Sequence, residues 1–167
     1  FAILVVSLPA TSLTAWAAST LTILQNGGTG GYTQDSNGNI KITASGSYTI
    51  SGSGTAANIV VNSAGTTNIT LNGVNIDDSQ TSGMPALKIS SGATVNLTLE
   101  GSNTLKGGSN NAAGLQVAQG AAVIITGTAA DSLTATGGTL GAGIGGAYKG
   151  NGGTITISGG TVTANGG

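Results

Sequence analysis

The segments Asn58-Ile59-Val60-Val61, Ala86-Leu87-Lys88-Ile89 and Gly114-Leu115-Gln116-Val117 decide the fold. Placed under one another, they put Ile59, Leu87 and Leu115 at a constant interval of 28 residues, with Ile144 following 29 later. A second register carries Ile69/Leu71, Leu97/Leu99, Val123/Ile125 and Ile155/Ile157, and a third carries Val74/Ile76, Leu105, Leu133 and Val162. Each segment alternates apolar with polar residues, the period of a half-buried strand. Between the segments lie Asn72-Gly73, Ser91-Gly92 and Ser158-Gly159-Gly160, which supply the positive φ that tight corners need. No single coil of this kind buries its own apolar face, so the core comes from stacking. The sequence therefore predicts an all-β chain, a right-handed parallel β-helix: a three-faced β-solenoid with about 28 residues per coil. A β-sandwich would also show short strands and frequent turns, but nothing in it requires one residue class at a fixed interval.

Working outward from the repeat, Ile40/Ile42 lie 29 residues before Ile69/Leu71, and Tyr48/Ile50 take the third-strand place. Residues from about Ser19 are thus expected to form an earlier, less regular coil. The stretch from Gly141 to Gly153 is so rich in glycine that its corner should be either loose or unusually tight. Residues 1–17, FAILVVSLPATSLTAWA, pair an apolar run with an Ala-Trp-Ala ending and read as a signal-peptide remnant or, if retained, a connector. That leaves residues 18–167 as one solenoid domain. The final Thr163-Ala164-Asn165-Gly166-Gly167 follows a strand with no amphipathic cap, which predicts an open C-terminal end.

Composition narrows function by exclusion. Charged residues are 5% of the chain, against about 25% in an ordinary domain. A chain so poor in charge and holding 31 Gly would suggest disorder, but 38% of its residues are hydrophobic and they recur in register. The net charge is −1 with four Lys and no Arg, leaving no basic footprint for nucleic acid and no anionic-lipid site. The absence of Cys and His removes thiol chemistry and the usual acid–base group near neutral pH.

The acidic inventory is Asp35, Asp77, Asp78, Glu100 and Asp131. Glycoside hydrolysis needs two carboxylates flanking one bond, and the one acidic pair, Asp77-Asp78, falls on adjacent positions that point to opposite sides in a strand, an arrangement a turn would relax. No catalytic residues are assigned. Asp77 and Asp78 could instead offer oxygen ligands to calcium at a coil corner. Asp77 also sits 29 residues before Lys106, the spacing of a surface ion pair between stacked coils. Asp131, one period after Asn103 and two after Asn75, reads as an Asn/Asp ladder.

The outward faces are more informative. With Ile69, Leu97, Ile125 and Ile157 inward, Thr70, Thr98, Thr126 and Thr156 are expected in one outward file. Asn68, Asn96 and Thr154 form a neighbouring file interrupted by Ile124. A flat, uncharged surface of hydroxyls and amides suits hydrogen bonding to an extended polymer, although stacked Thr also stabilises sheets for its own sake. Of the tyrosines, Tyr148, beside Lys149 in a Gly-rich corner, is assigned as a sugar platform.

Ser47-Tyr48-Thr49-Ile50-Ser51-Gly52, Asn68-Ile69-Thr70-Leu71-Asn72-Gly73-Val74, Pro85-Ala86-Leu87 and Asn96-Leu97-Thr98-Leu99-Glu100-Gly101 resemble the secreted carbohydrate-binding β-helix domains of Gram-positive bacteria. That family includes pectin-binding, calcium-carrying members. Gly143-Ile144-Gly145-Gly146 and Gly153 to Val162 resemble repeats of bacterial cell-surface adhesins. The resemblance implies a non-catalytic, extracellular or cell-surface module that binds polysaccharide, requires no cofactor other than an optional calcium, and does not insert in a membrane. The alternative is a structural protein stacking on copies of itself into a filament, or an adhesin stalk.

Overall fold

A computed structural model describes residues 19–27 and 30–167; the segment 1–17 and its signal-peptide reading lie outside the described residues. The described chain is all-β, a parallel β-solenoid of about four turns with roughly 28 residues per coil. One face stacks the short strands β3 (Ile40–Ile42), β5 (Ile59–Val61), β7 (Leu87–Ile89), β10 (Leu115–Val117) and β13 (Ile144–Gly145), all parallel. The first register holds as read: Ile59 lies on Leu87, Leu87 on Leu115 and Leu115 on Ile144.

The other two faces form one nine-stranded sheet. Its hinge is inside β6 (Gly65–Asp77), where alternation breaks at the exposed pair Asn72-Gly73 and Gly73 adopts φ 63°. Before the break β6 pairs with β8 (Ala93–Glu100), and after it with β9 (Ser102–Lys106). The second face is completed by the first half of β4 (Ser47–Thr55), by β11 (Ala122–Thr126) and by β14 (Thr154–Ile157). The third face is completed by the second half of β4, by β12 (Ser132–Thr136) and by β15 (Thr161–Asn165). Inward side chains from all three faces, among them Ile59, Leu87, Leu97, Ile125 and Leu133, have no exposed surface. Each such aliphatic contributes about 1.5–3 kcal/mol relative to an exposed one.

The N-terminal part departs from expectation. Residues from Ser19 do not form an earlier parallel coil. Instead β1 (Thr22–Asn26) runs antiparallel along β4, and β2 (Tyr32–Gln34) antiparallel along β3. The reversal is made by Asp35, whose carboxylate accepts the N–H groups of Asn37 and Asn39 and the Asn39 amide at 2.8–2.9 Å. Antiparallel strands carry the same alternation as parallel ones, so the sequence pattern could not show the direction. They cover the first parallel rung, and Leu21 and Ile23 pack onto the core. Ile40 and Ile42 also belong to the first face, over Ile59 and Val61, while Tyr48 and Ile50 lie over Ile69 and Leu71 on the second. This rung is shorter than the rest because only Ala56, Ala57 and Asn58 carry the chain from β4 to β5; after β6 the chain needs Asp78 to Ala86.

The third face slips once. Ile76 lies over Leu105 as read, but Leu105 pairs with Ala135, and Leu133 sits over Asn103. The corner before β12 is enlarged to Gly127 through Asp131, where the earlier one is Gly101 alone. Asp131 is therefore no ladder partner of Asn103 or Asn75. It stays in its corner, accepting the N–H groups of Gly101 and Thr128 at 2.8 Å and the Thr128 hydroxyl at 2.7 Å. Those bonds, the Thr128 hydroxyl first, hold its carboxyl below the usual range.

The glycine-rich stretch resolves into both expected alternatives. At Gly138 and Gly141 backbones from successive coils touch: a Cβ on Gly141 would sit on the Ala112 carbonyl, and one on Gly138 on the Gly108 carbonyl. Residues 147–152, by contrast, are exposed. Gly141→Ala is expected to destabilise the fold by about 1–3 kcal/mol, the cost of overpacking where only backbone can yield. Thermal unfolding of that variant, against Gly150→Ala in the exposed loop as a near-neutral control, checks this.

Candidate functional site

The second face presents outward hydroxyl and amide side chains on adjacent strands, with few charges. Because β4, β6, β8 and β11 pair in register, outward residues align coil on coil. Thr49, Thr70, Thr98 and Thr126 form one file, and Ser47, Asn68, Asn96 and Ile124 the next. Thr156 does not continue the threonine file; it lies over Ile124 and so ends the asparagine file, while Thr154 lies over Ala122. The cause is the long corner from Gly146 to Gly153, which delays β14. A slip by two residues keeps threonine outward, so alternation alone conceals it.

Hydrogen bonds run along these files rather than across them. The Asn96 amide donates to Asn68 Oδ1 at 2.9 Å, and the Asn68 amide to Ser47 Oγ at 3.4 Å. Thr98 and Thr126 share a 3.4 Å hydroxyl contact. The ladder spends one N–H of each amide and leaves the other, with Asn96 Oδ1 and the Thr70 hydroxyl, free to bond something laid on the face. Glu100, over Asn72 at the edge, is the one charged residue among these strands' outward positions on this face. The antiparallel β1 extends the surface by one strand that the sequence had not revealed, placing Leu24 beside Thr49.

The remaining assigned residues fall elsewhere. Tyr148 is 40% exposed in the corner before β14, and the Lys149 ammonium stands 5.1 Å from its ring centroid, so one ring face is already occupied. Tyr48 and Tyr32 are no platforms: Tyr48 is buried and meets Tyr32 edge-on at 6.3 Å. Asp77 and Asp78 point to opposite sides of the corner. Asp77 pairs with Lys106 at 3.2 Å, both about half exposed, a contact worth about 0–1 kcal/mol. Asp78 has no exposed surface, and neither of its oxygens reaches a hydrogen bond of good geometry. Among the described residues no group of three or more His, Cys, Asp or Glu could hold a metal ion.

Two further surfaces escaped sequence reading. On the third face Asn75, Thr104, Thr134 and Thr163 align, bordered by the Asp77–Lys106 pair. The enlarged corner before β12 breaks the period and hides this file. On the first face an open pocket of about 380 Å³ lies between Thr33, Asp35, Lys41, Asn58, Val60 and Met84. Its charge distinguishes it from the second face. No helix among the described residues is long and apolar enough to cross a membrane.

A family model described as "Carbohydrate-binding domain-containing protein" matches residues 36–166. No curated protein and no solved structure matches the chain.

Proposed function

Because the chain belongs to the carbohydrate-binding domain-containing family, we propose that it is a non-catalytic module, secreted or displayed at a cell surface, that holds polysaccharide on its second face. The observation that carries this reading is the aligned grid of Asn68, Thr70, Asn96, Thr98 and Thr126. Its residual donors and acceptors repeat at the strand spacing of about 4.8 Å, close to the length of one sugar ring in an extended chain. Thr156 extends the grid at its far end, over Ile124, and Tyr148, in the corner before β14, keeps one ring face clear of Lys149. Such binding rests on hydrogen bonds and aliphatic contact and needs no cation. If calcium contributes, Asp77 is the solvent-facing carboxylate of the acidic pair, with Asp78 behind it.

The test is affinity electrophoresis in gels containing polysaccharide, with and without EDTA. Thr98→Arg combined with Thr126→Arg is expected to weaken retardation at least tenfold, about 1.4 kcal/mol, with unchanged unfolding because both side chains point outward. Retardation that survives the double substitution would move the site off this face. Self-association is the second reading, favoured by β14, which among the described residues pairs on one side only and exposes 53% of Ile157. The arginine variants leave that edge intact, so lost retardation with unaltered sedimentation separates the two.

A further inference from the structure

The second face carries two exposed aliphatic side chains, Leu24 at 64% and Ile124 at 39%. Either alone would be unremarkable on a protein surface. Their placement is what matters. Leu24 sits on β1 in line with the threonine file, and Ile124 on β11 within the asparagine file. The strand order between them is β1, β4, β6, β8, β11, which spans about 19 Å along the solenoid axis at the usual strand spacing. The outward positions of these two files between them are hydroxyls and amides: Thr49, Thr70, Thr98, Ser47, Asn68 and Asn96.

A sugar ring presents C–H groups on its flat faces and hydroxyls around its rim. A chain of such rings lying along the axis would rest C–H faces on Leu24 and Ile124 and meet amide and hydroxyl groups between. A chain lying along a strand would meet at most one of the two, because Leu24 is on β1 and Ile124 on β11. Charge narrows the ligand further. Glu100 borders the grid and repels a carboxylated chain. Of the four lysines, Lys41 and Lys88 lie on the first face in file with Val60, Lys106 is paired with Asp77 on the third, and Lys149 stands over the Tyr148 ring in the corner before β14, so none lies in the two files between Leu24 and Ile124. We infer that the ligand of the second face is an extended neutral polysaccharide bound parallel to the solenoid axis, anchored at its two ends by Leu24 and Ile124 and spanning at least four sugar units. The inference rests on the carbohydrate-binding reading and adds orientation, length and charge.

The experiment uses the full chain with soluble neutral glucan, xylan and mannan, and polygalacturonate as the anionic comparison, followed by oligosaccharides of two to six units from whichever polymer binds. Leu24→Thr and Ile124→Thr substitute a strand-favouring residue at exposed sites, and a thermal melt confirms that each folds. The expected result is preference for a neutral polymer, a loss of at least threefold for each variant and tenfold for the pair, and affinity that climbs steeply up to four units and then levels. Wild-type binding that ignores both substitutions, stays flat with length or favours polygalacturonate would overturn the inference while leaving the carbohydrate reading in place. If no polymer in the panel is bound, that reading falls and the inference with it.

Discussion

Asp78→Asn should make the folded chain more stable at pH 8 by up to about 4 kcal/mol, and should abolish most of the pH dependence of stability between pH 4 and 7. Asp78 follows the inward Ile76 and outward Asp77, so alternation carries its carboxyl into the interior, where it has no exposed surface. Burial pushes its pKa from 3.8 up to about 7; the N–H of Ala57 works against this, Asp77 adds repulsion, and the N–H of Ala56 also favours the charge. A carboxyl whose folded pKa lies above its unfolded value keeps its proton in the folded state over that interval. Its stabilising effect is complete at and below about pH 4 and is lost as pH rises towards 7. Each pH unit between the two values is worth about 1.4 kcal/mol, which sets the expected gain for a side chain that cannot ionise. Asp35, Asp77 and Asp131 have pKa values lowered from 3.8 and act in the opposite direction, below about pH 4. The two windows therefore do not overlap. Urea unfolding from pH 3 to 9 reads both; a wild-type profile flat from pH 4 to 7, or an asparagine variant no more stable at pH 8, would show that Asp78 is relieved by contacts other than those described.

The solenoid was legible because its physics is periodic. Ile59, Leu87, Leu115 and Ile144 must each present the same face to the same core, and a fixed coil length prints that requirement on the chain. What was lost is what period cannot encode. Strand direction leaves no mark on alternation, so the reversed β1 and β2 looked like an ordinary coil, and with them Leu24 was missed as part of the candidate face. Corner length is set by backbone geometry rather than by residue class. The additions at Gly127–Asp131 and before β14 moved Leu133 and Thr156 by an even number of residues, which preserves every inward and outward assignment while changing the neighbour. The candidate site was therefore legible in its middle, at Asn68, Thr70, Asn96, Thr98 and Thr126, and misread at its ends.

Asn103 shows the same limit from inside the core. It occupies an inward position between Val74 and Leu133, both without exposed surface, and is itself only 2% exposed. An apolar residue would satisfy the pattern better, yet Asn103→Leu is expected to cost about 3 kcal/mol. The Asn103 side-chain oxygen accepts the Val74 N–H at 2.9 Å, just past the hinge of β6 where the sheet ladder is interrupted. Its amide donates to the carbonyls of Glu100 at 3.2 Å, Gly101 at 3.4 Å and Ser132 at 3.3 Å. One side chain thus joins the corners of three successive coils. Leucine offers nothing to the Val74 N–H, and leaving a buried donor unpaired costs about 1–3 kcal/mol before the three carbonyls are counted. In a chain of this size the melting temperature should fall by about 6–12 °C, while Thr104→Ala on the outward side of the same strand changes it little. Loosening the corner also frees the end of β8, the strand that carries Asn96 and Thr98, so glycan retardation should weaken in Asn103→Leu although no residue of the grid is altered. A leucine variant as stable as the wild type would mean that apolar burial alone closes the corner and that these four bonds are replaceable by water.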